Sequence, residues 1–143
     1  MAADREVVVD TNILFSALLA ADGRIHQTLF RSSLRFRICE TTLAEMFEHK
    51  EQILRHTRLT ADEVTVMFHK VLRRLVVLSE ELISGEDWNR AADLCGGIDS
   101  DDVPQVALTL SIDGLLWTGD RKLRRGLEAK GFDRFTPPEQ TGQ

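Results

Sequence analysis

Near its start the chain reads Val7-Val8-Val9-Asp10-Thr11-Asn12, and this segment is the most informative about its architecture. Three consecutive β-branched residues predict a short strand that is buried on both faces. The apolar stretch from Ile13 to Ala21 predicts a helix, which Asp22-Gly23 would end. A buried strand that leads directly into a helix is typical of an α/β sheet, in which the residue at the junction lies at the carboxyl edge.

Strand and helix patterns alternate along the rest of the chain. Strands are predicted at 34–39, 75–78, 115–117 and 132–136. Helices are predicted at 24–33, 41–55, 60–74, 85–95, 103–111 and 121–130, the second of them capped by Thr41 or Thr42 and the third by a capping box at Thr60. This alternation predicts an α/β layer fold around a mostly parallel sheet, with functional sites beyond the carboxyl ends of the strands.

Length and composition predict a single globular domain. The chain has 143 residues, of which 43% are hydrophobic and 29% charged, and this balance excludes a largely disordered chain. The domain is expected to span 1–136 and to be followed by a polar tail at 137–143.

The apolar runs of the chain are too short to cross a bilayer. The first residues show no apolar signal region and only Cys39 and Cys95 occur as cysteines, so we expect a cytoplasmic protein with free thiols and no membrane partner.

Charge is distributed unevenly along the chain. The net charge is −5, and residues 81–120 carry one base and nine acids, whereas residues 121–143 carry six bases and three acids. A basic run follows the acidic block directly and consists of Arg121, Lys122, Arg124 and Arg125. Such a run is most often a solvated helix face. Clustered acids can, however, bind divalent cations, and a bound cation inverts the local field so that an acidic protein can bind nucleic acid.

Several acidic residues follow or precede predicted strands in positions that would bring them together. Asp10 and Asp120 each come just after a strand, and Asp99, Asp101 and Asp102 lie in the loop before the helix that leads into the strand at 115–117. Each aspartate has an alternative explanation, since aspartate is a favoured helix N-cap. Carboxylates that converge at one sheet edge repel one another unless a cation compensates. Oxygen ligands without His or Cys suit Mg²⁺ or Mn²⁺.

Other chemistry finds little support in the sequence. Both glycine-rich nucleotide-binding motifs are missing, the four histidines have no metal-ligand spacing, and no serine has a neighbouring histidine that would activate it. Glu45 points largely away from the apolar face of its predicted helix. It could be a plain solvated glutamate or a functional acid, and Glu48, one turn on, is a second possibility.

Four segments together resemble the PIN-domain family, whose members include VapC-type toxins and RNA-processing nucleases. The first is the segment from Val7 to Asn12 and the second is Thr42-Leu43-Ala44-Glu45. The others are Ile98-Asp99-Ser100-Asp101-Asp102-Val103-Pro104 and Leu116-Trp117-Thr118-Gly119-Asp120-Arg121-Lys122-Leu123. They occur in the family's order and span nearly the whole chain. The resemblance implies a three-layer α/β/α sandwich with a mostly parallel central sheet.

The resemblance also implies roles for individual residues. An acidic quartet would surround Mg²⁺ or Mn²⁺ and consists of Asp10, Glu45, Asp102 and Asp120. Asp99 would be a further metal ligand, and Asn12 and Thr118 would be polar groups that support the acids. The basic residues that would hold the RNA backbone are Arg121, Lys122, Arg124 and Arg125.

The activity that the resemblance implies is metal-dependent hydrolysis of RNA phosphodiester bonds. Metal ions would orient the phosphate and activate a water for in-line attack, leaving a 5′-phosphate. Family members usually form homodimers, and the toxins pair with an antitoxin encoded beside them. RNA, a second copy of the chain and an antitoxin are therefore the implied partners.

The sequence departs from the family pattern in three places. Gln105 stands where relatives usually have an aromatic or large aliphatic residue. Asp101 and Asp102 are adjacent, so the register of the third acid is open by one position, and the resemblance favours Asp102 because it lies at the family's distance from the Ala107-Leu108 helix core. The region from Leu75 to Gly97 matches the small toxins poorly.

Two other functions compete with the nuclease. A non-catalytic PIN-like domain would bind RNA or a protein, and it is favoured if Glu45 does not reach the other acids. A phosphoacceptor or phosphatase on a similar sheet is the other alternative. The haloacid-dehalogenase type is disfavoured because Thr11-Asn12 follows Asp10, so that the first strand does not end in Asp-x-Asp.

Overall fold

The computed structural model describes residues 5–19 and 23–137 and is built around a parallel sheet. Its four strands pair in the order β3-β2-β1-β4, and every pairing is parallel. The strands are β1 (Glu6–Val9), β2 (Arg35–Cys39), β3 (Leu75–Leu78) and β4 (Leu115–Trp117). The chain runs from β1 outward to β3 and then crosses to the other side of β1, so the switch point lies between β1 and β4.

Eight helices in the described residues cover the two faces of this sheet. They are α1 (Thr11–Leu19), α2 (Arg24–Arg31), α3 (Glu40–Glu48), α4 (Lys50–His56), α5 (Ala61–Arg73), α6 (Gly85–Cys95), α7 (Val103–Ser111) and α8 (Arg121–Ala129). Two short 3₁₀ turns, Glu80–Leu82 and Ser100–Asp102, precede α6 and α7. The predicted end of the first helix, at 20–22, lies outside the described residues.

The central strand β1 separates two hydrophobic cores. Val7 and Val9 belong to the core formed with helices α1 to α5, whereas Val8 belongs to the core formed with α6 to α8. Successive strand residues point to opposite faces of a sheet, and a strand covered on both faces therefore needs a continuous apolar run. The predicted three-layer α/β/α sandwich with a parallel sheet is thus confirmed.

The region predicted as one helix at 41–55 differs from expectation. It consists of α3 and α4, which are separated at His49, and α3 begins one residue earlier than predicted, after Cys39. Neither threonine is its cap. The backbone N–H and the hydroxyl of Thr41 both donate to Glu80 Oε1, at 2.9 and 2.5 Å. Thr41 is therefore used to tie the start of α3 to the end of β3.

The capping box of α5 and the predicted last strand have different outcomes in the structure. The predicted capping box of α5 is present, with Thr60 and Glu63 each accepting from the other's backbone N–H. The strand predicted at 132–136 is reduced to a single parallel bridge between Phe135 and Leu116.

In the part of the chain that the structure describes, no helix is both long and apolar enough to span a membrane. Residues 138–143 of the predicted tail lie outside the described residues.

Candidate active site

Asp10 lies at the switch point of the sheet and is held there by three donors. It directly follows β1, and its backbone N–H donates to the carbonyl of Trp117 in β4 (3.0 Å). Its side chain is only 3% exposed. Oδ2 accepts from the hydroxyl of Thr118 at 2.6 Å, and Oδ1 accepts from the backbone N–H of Asn12 at 3.3 Å. The third donor to Asp10 is the side-chain amide of Gln105 in α7.

Thr118 connects Asp10 to Asp120. The Thr118 hydroxyl, which donates to Asp10, also accepts from the backbone N–H of Asp120 at 3.1 Å. Asp120 in turn caps α8, since its Oδ1 accepts from the backbone N–H of Leu123 at 3.1 Å. Asp120 therefore caps α8, as the alternative explanation predicted. It also lies beside Asp10, to which Thr118 links it. The side chain of Asn12, in contrast, is exposed, and this residue supports Asp10 through its backbone.

Asp102 reaches the same crevice from the opposite side. It ends the 3₁₀ turn before α7 and makes no capping hydrogen bond with its side chain, so the capping explanation fails for it. Instead, Gln105 Nε2 donates to both Asp102 Oδ1 and Asp10 Oδ1, each at 3.4 Å. The structure thus brings Asp10, Asp102 and Asp120 together at the carboxyl edge, between β1 and β4.

The electrostatics of Asp102 record this crowding. Burial, followed by the negative charges of four neighbouring aspartates, raises the pKa of Asp102 from 3.8 to about 7; these neighbours, in order of effect, are Asp10, Asp99, Asp120 and Asp101. Removing a carboxylate from water and placing like charges around it both disfavour its ionised form. The acids of this crevice therefore repel one another in the metal-free protein.

Asp101 and Asp99 occupy the margin of the cluster. The side chain of Asp101 is exposed, and its backbone N–H donates to Asp99 Oδ1 at 2.9 Å. Of the two adjacent acids, Asp102 and not Asp101 contacts Gln105. Asp99 also lines a cavity of about 350 Å³, which includes Cys95.

Glu45 makes no side-chain hydrogen bond to the other acids within residues 5–19 and 23–137. It lies half-buried on α3, which starts at the same edge of the sheet, directly after β2. No hydrogen bond links its carboxylate to Asp10, Asp102 or Asp120, and its charge is not among those that raise the pKa of Asp102.

The ligand atoms that the crevice offers are oxygens, which are the type that a hard divalent cation prefers. Carboxylate oxygens converge on the crevice, and the buried Gln105 Oε1 beside them has no partner in the described residues. Oxygen-only ligands suit Mg²⁺ or Mn²⁺. In this arrangement, no three Asp, Glu, His or Cys side chains of the described residues are close enough to hold one ion together. The carboxylates would therefore have to draw closer, or be joined by water, around a cation.

A family model for the PIN domain matches residues 8–137 of the chain. The chain belongs to the PIN domain family. Its fold is similar to a chain in the crystal structure of VapBC2 from Rickettsia felis bound to a DNA fragment from their promoter, with a TM-score of 0.65. The two chains are 14% identical, and the match covers 83% of this chain and 91% of that one. Curated proteins give no significant match.

The four basic residues at the start of α8 differ in how close they lie to the acidic crevice. Arg121 and Arg124 line a cavity of about 340 Å³ together with Thr118, Gly119 and Asp120. Arg124 is also paired with Glu128 (3.2 Å) and lies over the ring of Phe135. Lys122 and Arg125 lie on the exposed surface of the same helix. The structure therefore places two of the four predicted RNA-binding residues beside the acids.

Two polar arrangements of the PIN domain went unpredicted. The family pattern identifies Gln105 only as a departure, although a glutamine three residues after an acid and inside an apolar helix is a signal that the sequence contains. The second arrangement joins the start of α3 to the 3₁₀ turn after β3, where Glu80 N–H donates to Glu40 Oε1 (2.8 Å) and the Glu80 carboxylate accepts from Thr41. This link connects the start of α3, the helix that carries Glu45, to the segment after β3.

Proposed function

We propose that this PIN domain is an endoribonuclease that depends on Mg²⁺ or Mn²⁺. The observation that carries the proposal is the convergence of Asp10, Asp102 and Asp120 between β1 and β4, the switch point at which parallel sheets build their sites. Mutual repulsion among these acids is costly in the metal-free protein, and a cation would relieve it.

Each acid has a place in the proposed metal centre. Asp10, Asp102 and Asp120 would hold the cation, with Asp99 and Glu45 as further acids on the loop and on α3. A cation bound there would stabilise charge on the phosphate oxygens and lower the pKa of coordinated water. Thr118 keeps Asp10 oriented through its 2.6 Å hydrogen bond, and the backbone N–H of Asn12 acts on the other oxygen.

The basic start of α8 would hold the RNA backbone. Arg121 and Arg124 share a cavity with Asp120, so a phosphate held there would lie beside the acids. Lys122 and Arg125 would contact the strand further along. Contacts to phosphate do not depend on the RNA sequence, and they position the RNA backbone.

The biological setting that we propose is a toxin–antitoxin pair. Support comes from the similarity in fold to a chain of the VapBC2 complex, together with the PIN domain match. The protein would then act in the cytoplasm, as a homodimer, and would be controlled by an antitoxin protein.

Asp120→Asn tests the catalytic proposal. We expect this change to abolish Mn²⁺-dependent cleavage of single-stranded RNA without unfolding the protein. Asparagine caps helices about as well as aspartate, so the bond to Leu123 N–H is kept and only the charge that a hard cation needs is removed. The measurement is cleavage of a labelled RNA panel by the purified chain, with EDTA as the metal-free reaction. Asp93→Asn, at an exposed acid on α6, is the matched control and should cleave like the wild type.

A second candidate function is a non-catalytic PIN domain that binds RNA or a protein. Two observations in the described residues favour it. Glu45 makes no hydrogen bond to the other acids, and no three ligands are already close enough for one ion. Wild-type protein that binds RNA but does not cleave it in Mg²⁺ or Mn²⁺ would establish this function. Cleavage that survives Asp120→Asn would show that the active site lies elsewhere.

A further inference from the structure

Gln105 is a buried polar residue that lies between the apolar core and the acids. It is 5% exposed, and the next residues of α7, Val106, Ala107 and Leu108, all belong to the core around α6 to α8. An amide in such a position lowers stability unless its polar atoms find partners. The partners of its Nε2 are two carboxylates, Asp10 and Asp102, each at 3.4 Å.

The orientation of the amide, with Nε2 towards the acids, matches its chemistry. An NH₂ group has two protons, one for each carboxylate, and it is the only end of the side chain that can donate. When both carboxyl groups are ionised, the opposite orientation would direct Oε1 at two negative oxygens. With Nε2 facing the acids, Oε1 is buried and has no partner in the described residues. Mg²⁺ usually keeps several of its waters when bound, and such water can donate to an acceptor of this kind.

We propose that Gln105 is a positioning residue of the metal centre, which links Asp10 to Asp102 and keeps both carboxylates facing the crevice where they would close on the cation. The inference rests on the proposed function, because it presumes that these carboxylates bind metal. Groups that hydrogen-bond ligating carboxylates orient them, and their loss weakens metal binding by about 10–100-fold. Gln105 would make this contribution from α7, whereas Thr118 makes it from the end of β4.

A purely structural role for Gln105 is separated from this one by a matched pair of variants. Gln105→Met keeps a flexible side chain of similar volume and removes the amide. Thr109→Val removes a buried hydroxyl one turn further along α7, where it donates to the Gln105 carbonyl at 2.8 Å. Both changes should lower the melting temperature, but only the first alters groups that contact the acids.

The experiment is isothermal titration of the full chain with Mn²⁺. We expect Gln105→Met to bind Mn²⁺ about 10–100-fold more weakly than the wild type and Thr109→Val to bind like the wild type. Equal affinity of Gln105→Met and the wild type would overturn the inference and leave the metal centre standing. A wild type that binds no Mn²⁺ would overturn the proposed function, and the inference with it.

A second measurement needs no variant that must fold. The side-chain amide signal of Gln105 can be followed by NMR in the wild type as Mg²⁺ is added. We expect this signal to shift in step with saturation of the site. A signal that stays in place while the site fills would overturn the role of Gln105.

Discussion

At the scale of a single residue, Asp102 shows how strongly the surroundings of a carboxyl group change its chemistry. Burial comes first and the charges of Asp10, Asp99, Asp120 and Asp101 follow, and together they raise the pKa of Asp102 to about 7. The unfolded chain lacks these neighbours, and its aspartate titrates near the ordinary value of 3.8. Between about pH 4 and pH 7, the folded protein therefore keeps a proton on Asp102 that the unfolded chain has released.

This difference predicts how stability depends on pH. In the metal-free protein, the free energy of unfolding should fall as the pH rises from about 4 to about 7, because the folded state holds more protons there. The contribution of Asp102 to this fall should be about 1–2 kcal/mol, once screening by water at its exposed part is allowed for. Urea unfolding in EDTA at a series of pH values measures it.

The control for this prediction uses two amide substitutions. Asp102→Asn should flatten the fall and make the metal-free protein more stable at pH 8, whereas Asp93→Asn should leave the profile unchanged. A wild-type profile that rises between pH 4 and 7, or one that Asp102→Asn does not alter, would contradict the assignment.

At the scale of elements, the site depends on the close approach of β1 and β4. Val7, Val8 and Val9 are in register with Leu115, Leu116 and Trp117, and Asp10 continues the pairing through the Trp117 carbonyl. Gly114 precedes β4, and a Cβ there would lie 2.7 Å from the backbone oxygen of Glu6. Backbone cannot move aside as a flexible side chain can, so the absence of a side chain at Gly114 permits this pairing.

We therefore expect Gly114→Ala to lower the free energy of unfolding by about 1–3 kcal/mol, as overpacking usually does. The physical reason is that β4 must shift away from β1 to admit the methyl group. Urea unfolding at one pH measures the change. Gly85→Ala is the control, because a Cβ at Gly85 meets no atom within 4 Å and alanine favours helices. If the two variants are equally stable, the close approach of the strands is not what requires glycine.

At the scale of the whole molecule, acidic and basic side chains lie next to each other at one edge of the sheet, and further basic side chains lie at the other edge. The acids and the start of α8 lie at the carboxyl edge, whereas Arg5 and Arg35 lie at the amino edge, before β1 and at the start of β2. The net charge of −5 opposes RNA binding in general. Binding of a polyanion should therefore depend on the local basic rim and on the cation that neutralises the crevice.

The salt dependence of RNA binding tests this arrangement. Replacing Arg121 and Lys122 with Gln should weaken binding of single-stranded RNA and reduce the slope of log K against log salt by about 1.4, since each phosphate contact contributes roughly 0.7. The double variant Arg5→Gln/Arg35→Gln removes the same charge from the opposite edge and should keep the wild-type slope. Fluorescence anisotropy in Mg²⁺ with Asp120→Asn protein, which should not cleave, gives the slopes. Equal slopes for both double variants would place the RNA elsewhere.

Much of the architecture follows from local sequence pattern. The valine run at 7–9, the capping box at Thr60 and the acids after two strands each depend on residues adjacent in the chain, so they predict the order of elements and the edge at which the acids lie. Periodicity and capping are short-range properties, which explains why these expectations were confirmed.

The arrangements that only the folded chain reveals depend on contacts between distant segments. Glu80 takes the hydroxyl of Thr41 away from a capping role, and Phe135 meets β4 at one bridge instead of a strand. Likewise, Gln105 lies between Asp10 and Asp102, and four neighbouring charges raise the pKa of Asp102. Local pattern specifies which residues reach the carboxyl edge, but hydrogen bonds and electrostatic energies depend on distances that exist only once the sheet has assembled.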